Sequence, residues 1–585
     1  MQNPFIAYLN SLHNLSPSGS NALAESQALS PYFSELYERL PVSQEIVKLL
    51  CDDKDRVVVL TGHAGDGKST IALDVLKSIR KLPLDRPLTQ ALCELERIDA
   101  ANVNIVKDMS ELGSAQRQEW LNEAFSKAGS WLIVSNTGPL LQSLRDYGDT
   151  VEEGYLDESV ILDYLDADVE LEALESHTIK HFSKPLTIIN LTRLDNSGLG
   201  AKLLGKLVSH SGWATCDECP CATKCPINQN RNALYQARET VEERVRWMYR
   251  RIGAYEKRLT IRQMVAQLAL GITGGMACPN QEEATADSEI ASLSLESVLF
   301  SEIFFGHKDG APWTDALALE AVAAAAKARF GGPVSVDYEK QIATTSGLGW
   351  ASMPDALEDL ENKWRVRAAD ASAVRWRYSL RRMIYIFGAI KEDKLQQAAP
   401  FLNGFLQSPT LRDFDLWQED KKRTLTKHHS NRLRSSCLKF LLEIYSGFSA
   451  GQFIKNDKLY ITLRRPDQSV IQPTQLVIRK LDFRDFDVDL LNGIPRLIHR
   501  PSRAQLLLTL PLLDLIQRRE QGELGSDLSP IHQARLDRFR SDLLGAKYST
   551  FDDEEIELLS AMLDGQIRTR VLLLDETSGR LELDA

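Results

Sequence analysis

Residues 62–69, Gly-His-Ala-Gly-Asp-Gly-Lys-Ser, fit the pattern G-x-x-x-x-G-K-[ST] and constrain the local fold more than any other segment. The β-branched apolar run before them, at 56–61, predicts a buried parallel strand. After them, Ile71, Val75 and Ile79 recur at roughly helical spacing. Strand, glycine-rich loop and helix start coincide, so the sequence predicts a P-loop whose helix N-terminus faces phosphate.

Such a loop predicts nucleotide binding, with ATP and Mg²⁺ as cofactors. Its glycines let backbone N–H groups surround the phosphates, Lys68 adds a positive charge, and the Ser69 hydroxyl helps to hold Mg²⁺. The alternative is a degenerate loop that binds nucleotide weakly or not at all. The predicted nucleotide-binding residues are Gly62, His63, Ala64, Gly65, Asp66, Gly67, Lys68, Ser69 and Thr70.

Length and charge limit the remaining possibilities. A chain of 585 residues is too long for one core. Its net charge of -12 excludes a general polyanion binder, so any nucleic-acid contact needs a local basic face. No apolar run approaches the ~20 residues that span a bilayer, and the N-terminus lacks a signal-peptide pattern, which predicts a cytoplasmic protein without a membrane partner.

Three further apolar segments, 103–108, 131–136 and 186–191, predict strands separated by helices. This alternation is typical of a parallel sheet with covering helices, so the predicted fold class is multidomain α/β. The expected domains are a flexible N-terminal arm at 1–30, a P-loop ATPase domain at 31–212, a Cys-rich knot and helical lid at 213–275, a helical domain at 276–449 and a C-terminal α+β domain at 450–585.

Hydrolysis needs a second Mg²⁺ contact and a group that positions water. Asp108 ends the strand at 103–107 and is the candidate Walker-B aspartate, because nucleotides bind at the carboxyl ends of parallel strands. The usual pattern places Asp-Glu directly after the strand, whereas here Glu111 is the nearest acid. Glu111 is the candidate for polarising water; the alternative is an exposed glutamate that complements a helix dipole.

Two residues match positions that ATPases of the AAA+ type use to sense the γ-phosphate. Asn136 ends the next strand, as a sensor-1 asparagine does; the alternative is a turn residue before Gly138-Pro139. Arg262 begins an amphipathic helix, where AAA+ lids carry the sensor-2 arginine. The alternative for Arg262 is a solvated helix arginine.

Four cysteines lie within ten residues: Cys216, Cys219, Cys221 and Cys225. Outside a secreted scaffold, this density predicts metal ligation, with tetrahedral Zn²⁺ as the first candidate. Because only one residue separates Cys219 from Cys221, His210 is an alternative ligand in place of one of these two cysteines. An iron–sulfur cluster and a loop of free thiols are the alternatives.

Two segments are rich in Lys and Arg, and in the first of them aromatic residues lie between the cations. Such local positive patches predict contact with DNA; the alternative is a solvated helix face. The first covers 363–367, 375–378 and 381–382, and the second covers 421–434.

The segments GHAGDGKST at 62–70, WLIVSNTGPLL at 131–141, CDECPCATKCPINQN at 216–230 and RLTIRQMVAQLALGITGG at 258–275 together resemble a family of bacterial defence ATPases. The chain is most similar to the DptF-like ATPases of the DNA phosphorothioation-dependent restriction system, over about half its length. The resemblance implies an ATPase that works on DNA with nuclease and translocase subunits. A homo-oligomer is also possible on this interpretation. The alternatives are a signalling or scaffold ATPase that does not contact DNA, and a small-molecule kinase.

Overall fold

The computed structural model describes residues 3–13, 29–52, 54–87, 92–148, 158–166, 174, 178–180, 182–255, 257–278, 294–370, 372, 374–420, 423–454, 457–463, 473–523, 529–545, 555–575 and 580–583. The chain divides into two compact units, Met1–Gln407 and Ser408–Ala585. The predicted division into five segments stays a prediction.

A mostly parallel sheet lies at the centre of the first unit. Among the described residues it has six strands, in the order β2-β3-β4-β1-β6-β5, and only β2 and β5 at its edges run antiparallel. The strands are β1 (Val57–Thr61), β2 (Leu95–Ile98), β3 (Val103–Val106), β4 (Ser130–Ser135), β5 (Thr178–Ile179) and β6 (Leu186–Asn190). The mixed α/β class and the four predicted parallel strands are confirmed, whereas the two edge strands were not predicted.

Helices cover both faces of this sheet and continue beyond it. Apart from the four-residue helices Phe33–Leu36, Ala214–Asp217 and Phe300–Ile303, those of the first unit are α1 (Pro4–Ser11), α2 (Pro41–Leu50), α3 (Lys68–Ile79), α4 (Ser114–Ser126), α5 (Thr137–Gly148), α6 (Glu158–Asp166), α7 (Ser197–Ser209), α8 (Pro226–Gln236), α9 (Arg238–Tyr255), α10 (Ile261–Thr273), α11 (Glu320–Lys327), α12 (Val336–Gln341), α13 (Glu358–Ala368), α14 (Val374–Phe387) and α15 (Leu395–Leu406).

Strand β1 is buried along its whole length because side chains on both of its faces enter a core. Val58 and Leu60 pack with α2 and α3 on one face, and Val57 and Val59 pack with α4 and α5 on the other. A β-branched run is well suited to such a strand, since both faces exclude water. The P-loop that follows β1 is therefore held by the best-buried strand of the sheet.

A buried carboxyl group fixes helix α3 to the segment before the sheet. Asp74 accepts hydrogen bonds from the Tyr37 hydroxyl at 2.9 Å and the Ser43 hydroxyl at 3.1 Å. Burial raises the pKa of Asp74 from 3.8 to about 6, although these hydrogen bonds and the nearby cations of Arg39 and Lys77 lower it. The folded state thus binds a proton here that the unfolded chain releases at lower pH.

The stability contribution of Asp74 is expected to fall as pH rises from about 4 to about 6, since the folded pKa is raised. The difference between 3.8 and about 6 corresponds to about 3 kcal/mol. In Asp74→Asn this dependence disappears. We therefore expect the wild type to lose about 2 kcal/mol relative to the variant across this range, and about 3 kcal/mol between roughly pH 3 and pH 7, measured by urea unfolding at each pH. Parallel stability curves would contradict the assignment.

The N-terminal residues form a buried helix where a flexible arm was expected. In helix α1, Asn3 caps the N-terminus by accepting the N–H of Phe5 at 2.8 Å, and Phe5, Ile6 and Leu9 are buried. The helix packs against α10. Residues 14–28, within the predicted arm, lie outside the described residues.

Residues 226–273 form three consecutive helices, α8, α9 and α10, separated by two breaks. One break lies at Ala237, after the end of α8. The other includes Thr260, the N-cap of α10, where a capping box with Gln263 begins a new helix. No helix in the described ranges is long and apolar enough to cross a membrane.

The second unit combines helices with antiparallel sheets. In its described part, one sheet has the order β7-β8-β12-β13-β14 and another the order β9-β10-β11. The elements are α16 (Leu411–Glu419), α17 (Lys427–Ser446), β7 (Lys458–Thr462), β8 (Thr474–Asp482), β9 (Phe486–Leu491), β10 (Ile494–His499), β11 (Gln505–Leu507), α18 (Leu510–Glu520), α19 (Pro530–Gly545), β12 (Glu555–Ala561), β13 (Ile567–Asp575) and β14 (Arg580–Leu583). Strands β13 and β14 pair antiparallel, and residues 576–579 between them lie outside the described residues.

Candidate functional site

The site lies where the parallel strands end. Strand β1 ends at Thr61, the loop 62–67 follows, and helix α3 begins at Lys68. Gly67 is the N-cap of α3 at φ +89, a left-handed conformation that disfavours any residue with a Cβ atom. The predicted strand–loop–helix arrangement is therefore present, with the free N–H groups of α3 directed toward the loop.

The Lys68 ammonium group makes three hydrogen bonds that join the loop to the neighbouring strand. It donates to the carbonyls of Gly62 and His63 and to Oδ1 of Asn136, each at 2.9 Å. These acceptors hold the charged group inside the concave side of the loop. A polyphosphate entering the loop would offer stronger anionic acceptors in the same place.

Opposite electrostatic influences act on Lys68. Burial lowers the pKa of its ammonium group, the carboxylates of Asp108 and Asp66 raise it, and the Arg262 guanidinium group lowers it further. Residues from three separate parts of the sequence, namely the loop with Asp66 and Lys68, Asp108 and Arg262, therefore interact at one point. This convergence brings together predicted residues of the phosphate, metal and sensor positions.

Asp108 follows strand β3 and is fixed by a short turn. Its Oδ1 accepts the N–H of Ser110 at 2.9 Å, as the N-cap of a 3₁₀ helix at Met109–Glu111. Ser110 in turn accepts the N–H of Asn136 at 2.7 Å through its hydroxyl. Ser110, which the sequence analysis did not single out, thus joins the ends of β3 and β4. The Glu111 side chain is exposed at the end of the same turn.

The strand order explains why Asn136 reaches Lys68. Strand β4 lies between β1 and β3, in register with both. Asn136 directly follows β4, so its side chain lies between the P-loop and Asp108. The hydrogen bond to Lys68 places Asn136 at the loop, and its sensor role stays a prediction.

The start of helix α10 contacts the P-loop directly. The backbone N–H of Arg262 donates to the Gly65 carbonyl at 3.3 Å. A Cβ atom on Gly65 would lie 2.9 Å from the Cβ of Arg262 and 3.1 Å from the Thr260 hydroxyl oxygen. Gly65 is therefore required for this close approach as well as for its positive φ of +90.

An ion pair beneath the loop also connects it to the segment before α10. The Asp66 carboxylate is fully buried; it accepts the N–H of His63 at 2.8 Å and an Arg258 N–H at 2.6 Å. Arg258 also donates to the Leu194 carbonyl at 3.0 Å. The sequence motif predicts only a backbone role for residue 66, so Arg258 was not identified from the sequence. The Asp66–Arg258 ion pair therefore links the conformation of the loop to the position of α10.

An open pocket continues from the loop between α7, α10 and the N-terminal segments. Gly65, Gly67, Thr70 and Arg262 form its end at the loop. The remainder is mainly apolar, and its lining includes Tyr8, Phe33, Leu40, Leu203, Ile261 and Val265. Its position beside the phosphate loop and its apolar walls suit a planar base.

The cysteine segment surrounds the start of α8. Cys216 and Cys221 are buried, whereas Cys219 and Cys225 are half-buried, and none of the four forms a disulfide. Within the described ranges there is no group of three or more His, Cys, Asp or Glu side chains spaced to hold a metal ion. The zinc site predicted at these four cysteines therefore stays a prediction. His210 stacks on Phe5 with ring centroids 4.2 Å apart.

Part of the first basic cluster is internal, whereas Lys363 and Arg375 are exposed. Arg381 and Arg382 are buried and pair with Glu339 and Glu302, because acids distant in the sequence meet them in the fold. Lys363 and Arg367 both pair with Glu296. This cluster therefore offers far less free positive charge than its sequence suggests.

The second cluster is more open. Lys427 and Arg432 are exposed on α17, whereas Arg434 is half-buried and lies 3.9 Å from the Asp487 carboxylate. Lys421 and Lys422 lie outside the described residues.

Comparison with known proteins finds no matching family model, no matching curated protein and no matching solved structure. The assignment of a function consequently depends on the site and on the resemblance of the sequence segments.

Proposed function

We propose that this protein is an ATPase that couples nucleotide turnover to DNA engagement within a restriction or anti-phage system. The observation that carries the ATPase part is the convergence of Lys68, Asp108, Asn136 and Arg262 around one loop. The restriction role depends on the family resemblance. That resemblance also suggests nuclease and translocase partners.

Each residue has a definite task in this proposal. The loop N–H groups and Lys68 bind the β- and γ-phosphates, and Ser69 with Asp108 would hold Mg²⁺. The metal, when bound, neutralises charge that develops on the phosphates. Asn136 orients the attacking water or the γ-phosphate, and Arg262 senses the γ-phosphate from α10. Glu111 is the candidate for polarising water.

The apolar pocket beside Thr70 is the proposed site of the adenine ring. The P-loop fixes the phosphates at one end, so the base extends into the cavity that opens from the same loop. Leu40, Leu203 and Val265 supply the apolar contacts there. Because Ile261 and Val265 belong to α10, base binding would also draw this helix toward the core.

Replacement of Asp108 by asparagine tests the catalytic assignment. We expect ATP hydrolysis to fall by a factor on the order of 10², because a neutral amide stabilises Mg²⁺ and the transition-state charge less well. ATP binding should persist, since the loop and Lys68 are unchanged. Steady-state phosphate release and binding of a fluorescent ATP analogue separate the two effects.

The matched control is Asp99→Asn, at the opposite end of the same strand. Asp99 is exposed and lies in the turn before β3, so its removal should leave turnover unchanged. Equal activity of the wild type and Asp108→Asn would refute the proposed role of Asp108. Equal loss in both variants would indicate a general effect on β3 instead.

A nucleotide-gated scaffold that does not contact DNA is the second candidate function. The observation that favours it is the internal pairing of Arg381 and Arg382, which removes charge from the first basic cluster. The net charge of -12 also opposes broad DNA attraction. ATP-dependent self-association without any effect of DNA on turnover would support this function.

A further inference from the structure

A carboxylate lies within the loop that is proposed to bind an anion. Asp66 is the only acidic residue of the segment 62–69, and its side chain is fully buried. Phosphate-binding loops use backbone N–H groups and positive charge, so a buried negative charge among them opposes binding. The loop can hold a polyphosphate well only if the charge of Asp66 is offset.

Asp66 has a structural task that accounts for its presence. Its Oδ2 accepts the N–H of His63 at 2.8 Å, while its own backbone N–H donates to the His63 carbonyl at 3.2 Å. A Cβ atom on Gly62 would lie 3.1 Å from the same carboxylate oxygen, so Asp66 also packs against the start of the loop. The carboxylate therefore fixes the shape of the loop from the inside.

The same carboxylate acts on the group that would meet the phosphates. Burial lowers the pKa of the Lys68 ammonium group, and the Asp66 carboxylate is among the groups that oppose this. An anion bound against Lys68 would experience the same field with the opposite sign, because a carboxylate that attracts the ammonium group repels phosphate. Such a repulsion is larger in a partly buried site than in water.

The charge that offsets Asp66 comes from Arg258, outside the loop. An N–H of its guanidinium group donates to Oδ1 of Asp66 at 2.6 Å. Since Oδ2 accepts the His63 N–H, both carboxylate oxygens have a donor. The Arg258 side chain is itself only partly exposed, so salt screens this charge-assisted hydrogen bond less than it would at the surface.

The position of Arg258 is fixed from a second side. Its Nε donates to the Leu194 carbonyl at 3.0 Å, and the Asn196 side chain donates to the carbonyl of Leu259 at 2.8 Å. Leu194 and Asn196 follow β6, which lies beside β1 in the sheet. The carboxyl end of the sheet therefore holds the segment before α10 so that the guanidinium group meets Asp66.

We propose that Arg258 is a positioning residue for nucleotide binding: it neutralises Asp66, so that the loop keeps the shape Asp66 gives it without repelling the phosphates. This inference rests on the proposed nucleotide-binding function and adds to that site a residue that the loop motif does not contain. Arg258 acts through Asp66, so its charge matters only while Asp66 is negative. Removing both charges should therefore restore binding that the loss of Arg258 alone impairs.

Binding of a fluorescent ATP analogue to the full-length protein tests this role. Arg258→Met leaves the carboxylate uncompensated, so the affinity should fall on the order of 10–100-fold. The double variant Asp66→Asn/Arg258→Met has neither charge, and its amide oxygen can still accept the His63 N–H. Its affinity should return to within roughly threefold of the wild type.

The matched control is Arg56→Met, at the opposite end of β1 from the loop. Arg56 directly precedes β1, is nearly buried and pairs with Asp52 at 2.8 Å. This variant also loses an arginine from an ion pair, but the acid lies outside the loop. Its affinity for the analogue, measured on folded protein, should equal that of the wild type. An equal loss in Arg56→Met and Arg258→Met would contradict a role specific to the loop.

Asp66→Asn alone keeps the test decisive if Arg258→Met does not fold. It leaves the positive charge of Arg258 without its partner beside the loop, so the analogue should bind about 3–10-fold more tightly than to the wild type. Misfolding cannot produce such a gain. Equal or weaker binding in Asp66→Asn, unchanged affinity in Arg258→Met, or a double variant as weak as Arg258→Met would overturn the proposal. A wild type that does not bind the analogue would instead refute the nucleotide-binding function, and this inference with it.

Discussion

Replacement of Lys68 by alanine is expected to lower ATP turnover by roughly 10²–10³-fold, because the variant lacks the cation that the proposed ATPase would place against the β- and γ-phosphates. The same change removes the donor to Gly62, His63 and Asn136, so these acceptors lose their shared partner. ATP affinity should fall as well. Phosphate release and analogue binding, measured on folded protein, quantify both losses.

Lys77→Ala is the matched control for Lys68→Ala. Lys77 lies on the same helix, is only 2% exposed, and donates to the carbonyls of Leu84 and Arg86. Its removal should cost about 1–3 kcal/mol of stability, because buried acceptors lose a charged donor. Turnover per folded molecule should remain near the wild-type value. Equal loss of turnover in both variants would show that Lys68 acts only through stability.

Adding DNA to the same assay separates the two candidate functions. Wild-type turnover that rises with single- or double-stranded DNA, and is absent in Lys68→Ala, supports coupling to DNA. Turnover that ignores DNA favours the nucleotide-gated scaffold. ATP binding without turnover in either condition would mean that the enzyme needs its partner subunits.

Much of the site follows from the sequence because its parts lie at the ends of strands. Parallel strands bring their carboxyl ends to one edge, so Lys68, Asp108 and Asn136 could be placed together from three apolar runs. A helix pattern beginning at Ile261 similarly identified Arg262. In each case a local pattern and one topological rule were sufficient.

The residues that escaped prediction depend on contacts between distant segments. Ser110 matters because β3 and β4 are neighbours, and Arg258 matters because it reaches Asp66 beneath the loop. Neither residue belongs to a recognisable motif. The free positive charge of the first basic cluster was overestimated for the same reason. Glu302 and Glu339, which are distant in the sequence, neutralise Arg382 and Arg381.

The buried pair of Glu302 and Arg382 gives the largest expected effect on stability. Glu302 is fully buried and Arg382 nearly so, with two hydrogen bonds of 2.7 and 2.9 Å between them. Arg382→Met leaves the carboxylate with Ser379, at 3.1 Å, as its remaining hydrogen-bond donor on α14. We expect a loss of about 3–5 kcal/mol, because an uncompensated charge stays in the core. Urea unfolding of the first unit measures it.

Two comparisons establish whether burial of the charge causes the loss. Arg97→Met removes an arginine from the exposed pair with Glu123 and should cost under about 1 kcal/mol. The double variant Glu302→Leu/Arg382→Met removes both charges and should recover most of the stability, since apolar side chains can replace a buried pair at little cost. A double variant as unstable as Arg382→Met would instead assign the loss to packing. The loss of Arg382 would also affect helix α10, because its Gln267 donates a hydrogen bond to the Phe304 carbonyl at 2.8 Å, and Phe304 lies two residues after Glu302.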